Sequence, residues 1–240
     1  MNKLAYSIII ILGMIHWSCE SPLSEKPVVD PYTIQPIIKV IKEIDYKGTT
    51  YYRYRADIYD QYIRSVELQD GGIKVNNENL MVIKDALGTY YMVDDQRVKY
   101  KLNTKYLFTI IMSDQSTYKA DITTHSTDLF EFNTPVEQDK TQDMNVSWKD
   151  TDTNSTMYLT VGLAYKTESS SGYSSHYVKI PNPRKGSFVL LSENLKSSEG
   201  TAYRIDLTLN SEVAGTIDSS FYLNRRAFSL QQISKSITLK

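Results

Sequence analysis

Residues 51–59 read YYRYRADIY, and the alternation in this stretch decides how the rest of the chain is read. Tyr52, Tyr54, Ala56 and Ile58 fall on one side of an extended segment, and Arg53, Arg55 and Asp57 on the other. Successive strand side chains point to opposite faces, so this is a half-buried β-strand with an apolar inner face and a charged outer one. Upstream, residues 37–44 (IIKVIKEI) are rich in β-branched side chains and also favour a strand. Downstream, residues 63–68, 73–75, 80–83 and 88–91 read as strands, with turns at Asp70-Gly71-Gly72, at 76–79 and at Asp94-Asp95. Residues 106–112 and 117–124 form a hairpin around Ser113-Asp114-Gln115.

The second half follows the same logic. Residues 134–142 are polar, contain Pro135 and mark the best boundary. Strands are expected at 144–149, 157–166, 177–180, 187–191, 202–210, 220–226 and 233–239, with a Ser- and Gly-containing loop at 168–175. Turn signals every 8–12 residues are the spacing of a β-sandwich or barrel, so the fold class is all-β.

Trp148 in NVSW, Tyr158 in the next strand, and Leu195 with Tyr203 at the start of the strand AYRIDLTL make the second half resemble fibronectin type III and related immunoglobulin-like sandwiches. That resemblance implies that Trp148 packs between two sheets. It also implies that the late Leu and Tyr form a corner, the hydroxyl bonding upstream backbone. Leu102 and Tyr106, ahead of LFTIIMSDQSTYKADIT, echo the pattern in the first half. The expected architecture is two tandem immunoglobulin/fibronectin III-like β-sandwich domains, at 37–134 and 143–240. One larger sandwich of all the strands is the alternative.

The chain opens with MNKLAYSIIIILGMIHWSCES over residues 1–21. Its apolar run is shorter than the roughly 20 residues a helix needs to cross a bilayer. Lys3, the short apolar run and a small residue at the cut are the parts of a secretory signal peptide. Ser18-Cys19 at its end resembles the signal peptide of bacterial lipoproteins. The resemblance implies cleavage after residue 18, acylation of Cys19, and a membrane anchor in the bacterial cell envelope, in the outer membrane, on its periplasmic or surface face. Cys19 is the single cysteine of the chain, so the mature protein would have no disulfide and would rely on packed apolar side chains. Four of the seven prolines fall at 22, 27, 31 and 36, so residues 19–36 are expected to be a semi-extended tether. Losing Lys3 would take the formal charge from −1 to −2, which argues against a nucleic-acid partner.

No catalytic residue or cofactor is expected. Asp150, Asp152 and Asn154 have the alternation of a calcium loop, but the sixth and twelfth positions are Ser155 and Val161 where such a loop needs Gly and Glu. His125 and His176 stand far apart, without the neighbours a zinc site needs. There is no nucleophile elbow and no phosphate-cradling glycine loop. Tyrosine is the compositional signal, at 19 residues against 2 Trp and 6 Phe. Tyr suits recognition surfaces because it joins apolar area to a hydroxyl. Tyr51, Tyr52, Tyr90, Tyr91 and Tyr173 are therefore the candidate binding residues, and one member of each adjacent pair should point outward. The expected function is non-enzymatic binding or positioning of another envelope component, such as an outer-membrane protein. Surface glycan capture is the alternative, and a hydrolase on a sandwich scaffold a distant third.

Overall fold

The computed structural model describes residues 21–86, 88–129, 131–149, 152 and 154–240. The expected leader and Cys19 lie outside the described residues. Among those described, the regular elements are strands and short 3-10 turns, an all-β structure. The first half carries β1 (Ile34–Ile44), β2 (Thr50–Asp60), β3 (Gly72–Val75), β4 (Glu78–Asn79), β5 (Met81–Asp85), β6 (Gly88–Asp94), β7 (Lys105–Ile111) and β8 (Thr117–Thr123). The middle carries β9 (Glu131–Asn133), β10 (Glu137–Gln138), β11 (Met144–Lys149) and β12 (Thr156–Lys166). The chain ends with β13 (Ser171–Lys179), β14 (Ser187–Leu190), β15 (Thr201–Ala214), β16 (Thr216–Ile217) and β17 (Arg226–Leu239).

One long sheet runs through the molecule in the order β13-β12-β15-β17-β1-β2-β6-β5, with β10 beside β17. Two smaller sheets, β16-β8-β7-β3-β4 and β14-β11-β9, pack on it. The first core joins Ile38, Tyr54 and Ile58 of the long sheet to Phe108, Ile110 and Ile122 of the five-stranded sheet. The second joins Leu159, Leu207 and Ile237 to Val146, Trp148 and Leu190 of the three-stranded sheet. Trp148 lies between sheets, as the resemblance implied, and its indole N–H donates to the Pro183 carbonyl at 3.0 Å.

β17 shows how the cores relate. Ala227 belongs to the first core, and Ile233, Ile237 and Leu239 to the second. All four are odd-numbered on one strand, so both cores sit on the same face of the long sheet. The first half of β17 pairs in parallel with β1, from Ile37↔Arg226 to Ile44↔Ile233, and its length pairs antiparallel with β15. The two expected sandwiches therefore share a sheet, and membership crosses the expected boundary. Phe132 of β9 packs in the second core, while Phe221 and Ala227 return to the first.

Between the cores the same face is polar. Ser229 and Gln231 of β17 are fully buried beneath the crossing segment 125–129. His125 bridges Ser229 and Ser211, each at 3.1 Å. Gln231 accepts from the Leu129 N–H at 2.6 Å and donates to the Thr127 carbonyl at 3.1 Å. Buried Lys42 pairs with Asp128, and Asp152 accepts from the Ser126 N–H and hydroxyl, each at 2.7 Å.

The structure corrects four expectations. Residues 21–33 are not a free tether. The Ser21 N–H donates to the Ser65 carbonyl at 2.7 Å and its hydroxyl to Asp60 at 2.7 Å, and Ser21 is 2% exposed. Ser24 accepts from the Glu67 N–H at 2.9 Å, and buried Val28 exchanges two bonds with Ser113. Pro22 and Pro31 open 3-10 turns capped by Ser21 and Asp30, positions where proline's missing donor costs nothing. Second, residues 63–68 and 220–225 are irregular connections rather than strands, with a single bridge from Ser65 to Tyr59, although Phe221 still anchors in the first core. Third, the supposed loop at 168–175 is strand from Ser171 onward. Fourth, the corner forms in the first half only. Buried Tyr106 donates to the Lys99 carbonyl at 2.8 Å and accepts from the Lys101 N–H at 2.9 Å. At the other site, Ala164 pairs with Arg204 and Tyr165 with Ala202, so Tyr203 is the extra residue of a bulge and is turned outward. Leu195 is buried there without it.

Candidate functional site

The period of two sorts the candidate tyrosines by face. Tyr51 and Tyr90 point to the open face of the long sheet, where Arg53 lies 5.2 Å from the first ring and Arg55 3.9 Å from the second. Their neighbours point inward. Tyr52 stacks on Tyr100 at 4.7 Å, and buried Tyr91 accepts from the Leu68 N–H at 2.6 Å. Tyr173 lies on the open face over Gly162, whose missing Cβ would sit 1.8 Å from the Tyr173 hydroxyl. Tyr165 covers Gly172 on the opposite face in the same way. In both pairs an aromatic ring fills the space a glycine leaves.

These five residues do not meet. Tyr51 and Tyr90 are about 20 Å apart along the strand direction, at roughly 3.3 Å per residue. Tyr173 is five strands from β2, about 24 Å at roughly 4.8 Å per strand. Between them lies a small apolar cluster of Ile41, Phe228 and Leu230, with Ile37 packed against it. A charged group flanks it, in which buried Asp57 accepts from Lys39 at 3.0 Å and from Arg55 at 2.7 Å.

Of the surfaces reached by a candidate residue, the β13 edge is the most accessible. β13 pairs with β12 on one side only and contains no buried residue. Across nine residues it has no proline and no register break, and its lysine is the final residue. Those are the devices that usually blunt an exposed edge. Tyr177, 77% exposed, stands on the same face as Tyr173, with its ring 5.9 Å from that of Tyr158. Burial and Asp206 push the Tyr173 hydroxyl up, and burial and Glu212 push that of Tyr158 up, so both remain hydrogen-bond donors at neutral pH. Tyr177 was not among the candidates because the Tyr173-x-x-x-Tyr177 spacing signals one face only if the segment is a strand.

The His125 seam contains a histidine between two serine hydroxyls, the pairing a nucleophile and its base would use. All three residues are fully buried, so no substrate reaches them. Burial pushes His125 down to about 4, against smaller upward pulls from Asp152 and others, and the ring is neutral at pH 7. Its chemistry is structural. Among the described residues no cluster of His, Cys, Asp and Glu could hold a metal ion.

At the far end of β2, beside the start of the described chain, is a concavity of about 280 Å³. Leu23, Tyr32, Tyr62 and Tyr222 line it around an Asp60–Arg64 pair. The Tyr32 and Tyr222 rings meet edge-on at 5.2 Å. Burial would raise the Asp60 carboxyl, but hydrogen bonds from the Arg64 backbone, the Ser21 hydroxyl, the Arg64 side chain and the Tyr62 backbone outweigh it and hold it below the usual range. The turn beside it places Ile63 at φ 63° and 75% exposed. A left-handed backbone costs a non-glycine residue about 1–2 kcal/mol, and is rarer still for a β-branched one. Sequence reading missed this pole because its tyrosines come from three distant segments.

No family model and no curated protein sequence matches the chain. Two solved structures are similar over most of its length. The FN1–FN3 domains of chicken CNTN1 share 13% identity at a TM-score of 0.28, the match covering 89% of this chain and 68% of that one. The adhesin InvE of Yersinia pseudotuberculosis shares 11% identity at a TM-score of 0.23, covering 85% of this chain and 58% of the adhesin.

Proposed function

We propose that this chain is a lipid-anchored envelope protein that binds a protein partner by adding one of its strands along β13. The single observation that carries this is the unguarded nine-residue edge of β13, with Tyr173 and Tyr177 beside it. Strand addition draws affinity from main-chain hydrogen bonds and specificity from alternate side chains. The leader and Cys19 support the anchored part of the reading. Photoreactive phenylalanine placed at Tyr173, Ser175 or Tyr177 in intact cells should give one discrete adduct, whereas the same group at Val189 should give none. Adducts of equal yield at Val189 would refute the edge. Cys19→Ala should move the protein from the membrane to the soluble fraction, and retention in the membrane would refute the anchor.

A glycan is the second reading, favoured by a polar cleft of about 350 Å³. Tyr46 stands at its side, and Arg204, Asp206 and Ser236 offer donors and acceptors. Tyr46→Ala should abolish retention on a glycan array; if the parent protein retains nothing, this reading fails.

A further inference from the structure

We infer that the Ser21 pole of the fold rests against the lipid bilayer in which Cys19 is anchored, its aromatic and aliphatic side chains reaching the interfacial layer. The inference deepens the anchored reading of Cys19 and rests on it.

The distance argument comes first. Ser21 is fixed to Ser65 and Asp60 by two hydrogen bonds. Cys19 is two residues upstream, and two extended residues span at most about 7 Å. An acyl group on Cys19 is thus held close to this end of the body, with no slack to lift the body away. The segment expected to supply that slack is spent on turns and packing.

The surface found there suits that neighbour. Tyr32, Tyr62, Ile63 and Leu223 are all exposed, and Leu23 and Tyr222 join them at the concavity. Tyrosine is favoured where one end of a side chain meets lipid and the other water. Ile63 and Leu223, 75% and 61% exposed, are costly to leave in water at the tips of turns. A turn with a left-handed residue that faced solvent would be better served by Gly or Asn. The charge in the pole is compensated, since Arg64 pairs with Asp60 at 2.7 Å while lying 5.1 Å from the Tyr62 ring. The concavity is smaller than the roughly 300–1,000 Å³ usual for small-molecule sites, which favours a surface contact over an enclosed ligand. With the pole on the membrane, β13 stands five strands from β2 across the long sheet, free for a partner.

The test uses the lipidated full-length protein in vesicles. The chain has one cysteine, and acylation blocks it, so Ile63→Cys, Leu223→Cys and a control Val189→Cys can each be labelled with an environment-sensitive fluorophore. Positions 63 and 223 should emit at shorter wavelength than 189 and be quenched by doxyl-labelled lipids, with 189 unaffected by either measure. If all three emit alike while the protein still floats with the vesicles, the inference is overturned and the anchor stands. A shift to shorter wavelength without lipid quenching also overturns it, because another protein surface would then cover the pole. If the unsubstituted protein takes up the fluorophore at Cys19 and fails to float, the anchor itself is lost and the inference with it.

Discussion

Asp60→Asn tests the attachment of the N-terminal segment most directly. The carboxylate is almost fully buried and has two sets of partners. Oδ1 accepts from the N–H groups of Tyr62 at 2.8 Å and Arg64 at 3.0 Å. Oδ2 accepts from the Ser21 hydroxyl at 2.7 Å and from the Arg64 Nε–H at 2.8 Å. Asparagine can keep the first set on its carbonyl oxygen. Its amide group then faces the second set, where the Ser21 hydroxyl can turn and accept but the guanidinium has no acceptor to offer. A hydrogen bond to a charged group contributes about 1.5–3 kcal/mol. Arg64 is 40% exposed and can swing into water, so solvent screening reduces the expected loss to about 1–2 kcal/mol. Ser21→Ala alone should cost about 1 kcal/mol, and the double variant less than the two together, because both act on Oδ2. The assay is urea unfolding followed by circular dichroism, repeated across pH. The native carboxyl titrates below its unfolded value, so its contribution is full above the ordinary carboxylate range near 3.9 and is lost as pH falls through the lower native value. The deficit of Asp60→Asn should therefore be largest at neutral pH and close in acid. A deficit under about 0.5 kcal/mol at pH 7, or one that persists unchanged in acid, would show that this carboxylate does not hold the segment.

Three further substitutions read other parts of the fold. Ile63→Gly should raise stability by about 0.5–1 kcal/mol, since relief of left-handed strain exceeds the entropy of an added glycine and little buried area is lost; a lower thermal midpoint would contradict it. Burial holds His125 at about 4, below its unfolded value near 6.5, so the unfolded chain binds the extra proton and stability falls as pH drops from 6.5 towards 4. The loss should approach about 3 kcal/mol at roughly 1.4 kcal/mol per pH unit, and His125→Gln should flatten the urea midpoints across that window. Tyr54→Phe should add about 1 kcal/mol, because the buried Tyr54 hydroxyl meets only the Tyr106 hydroxyl, which is already engaged with the Lys99 carbonyl and the Lys101 N–H; an equal loss in denaturant unfolding would show that the Tyr106 contact satisfies it.

What the sequence reveals and what it hides divide along physical lines. The alternation at 51–59 reports burial directly, because a strand with one wet face must place Tyr54, Ala56 and Ile58 inward, and all three are fully buried. The same rule sends Tyr51 and Tyr90 out and Tyr52 and Tyr91 in. The hydroxyl and glycine content of 168–175 misleads, because a strand at a sheet edge need not bury an apolar side chain on either face, and β13 buries none. The prolines at 22 and 31 carry a double meaning, since proline serves an extended linker and the first position of a 3-10 turn equally well. The bulge at Tyr203 is a register event between two strands, and neither strand shows it alone. Pairing of β1 with β17 leaves no local mark at all, for parallel partners may lie at opposite ends of a chain.

That parallel pairing poses a problem that the polar seam answers. A slip of one residue between β1 and β17 would turn every inward side chain of one strand outward, and the apolar pattern forbids it. A slip of two keeps every residue on its proper face, so alternation alone does not prevent it. The seam does. Moving β17 by two residues would carry either Ser229 or Gln231 under apolar core, put the other in its neighbour's place, and draw both from their partners His125, Thr127 and Leu129. Each buried polar group left without a partner costs about 1–3 kcal/mol, so a shifted register that strands several of them falls well below the native one. Lys42, buried on the inner face of β1 and paired with Asp128, adds the same demand from the other strand. The seam thus fixes how far β17 reaches into each sandwich, and with it the position of the β13 edge relative to the pole at Ser21. The proposed anchor at one end and partner at the other would both depend on that spacing being single-valued.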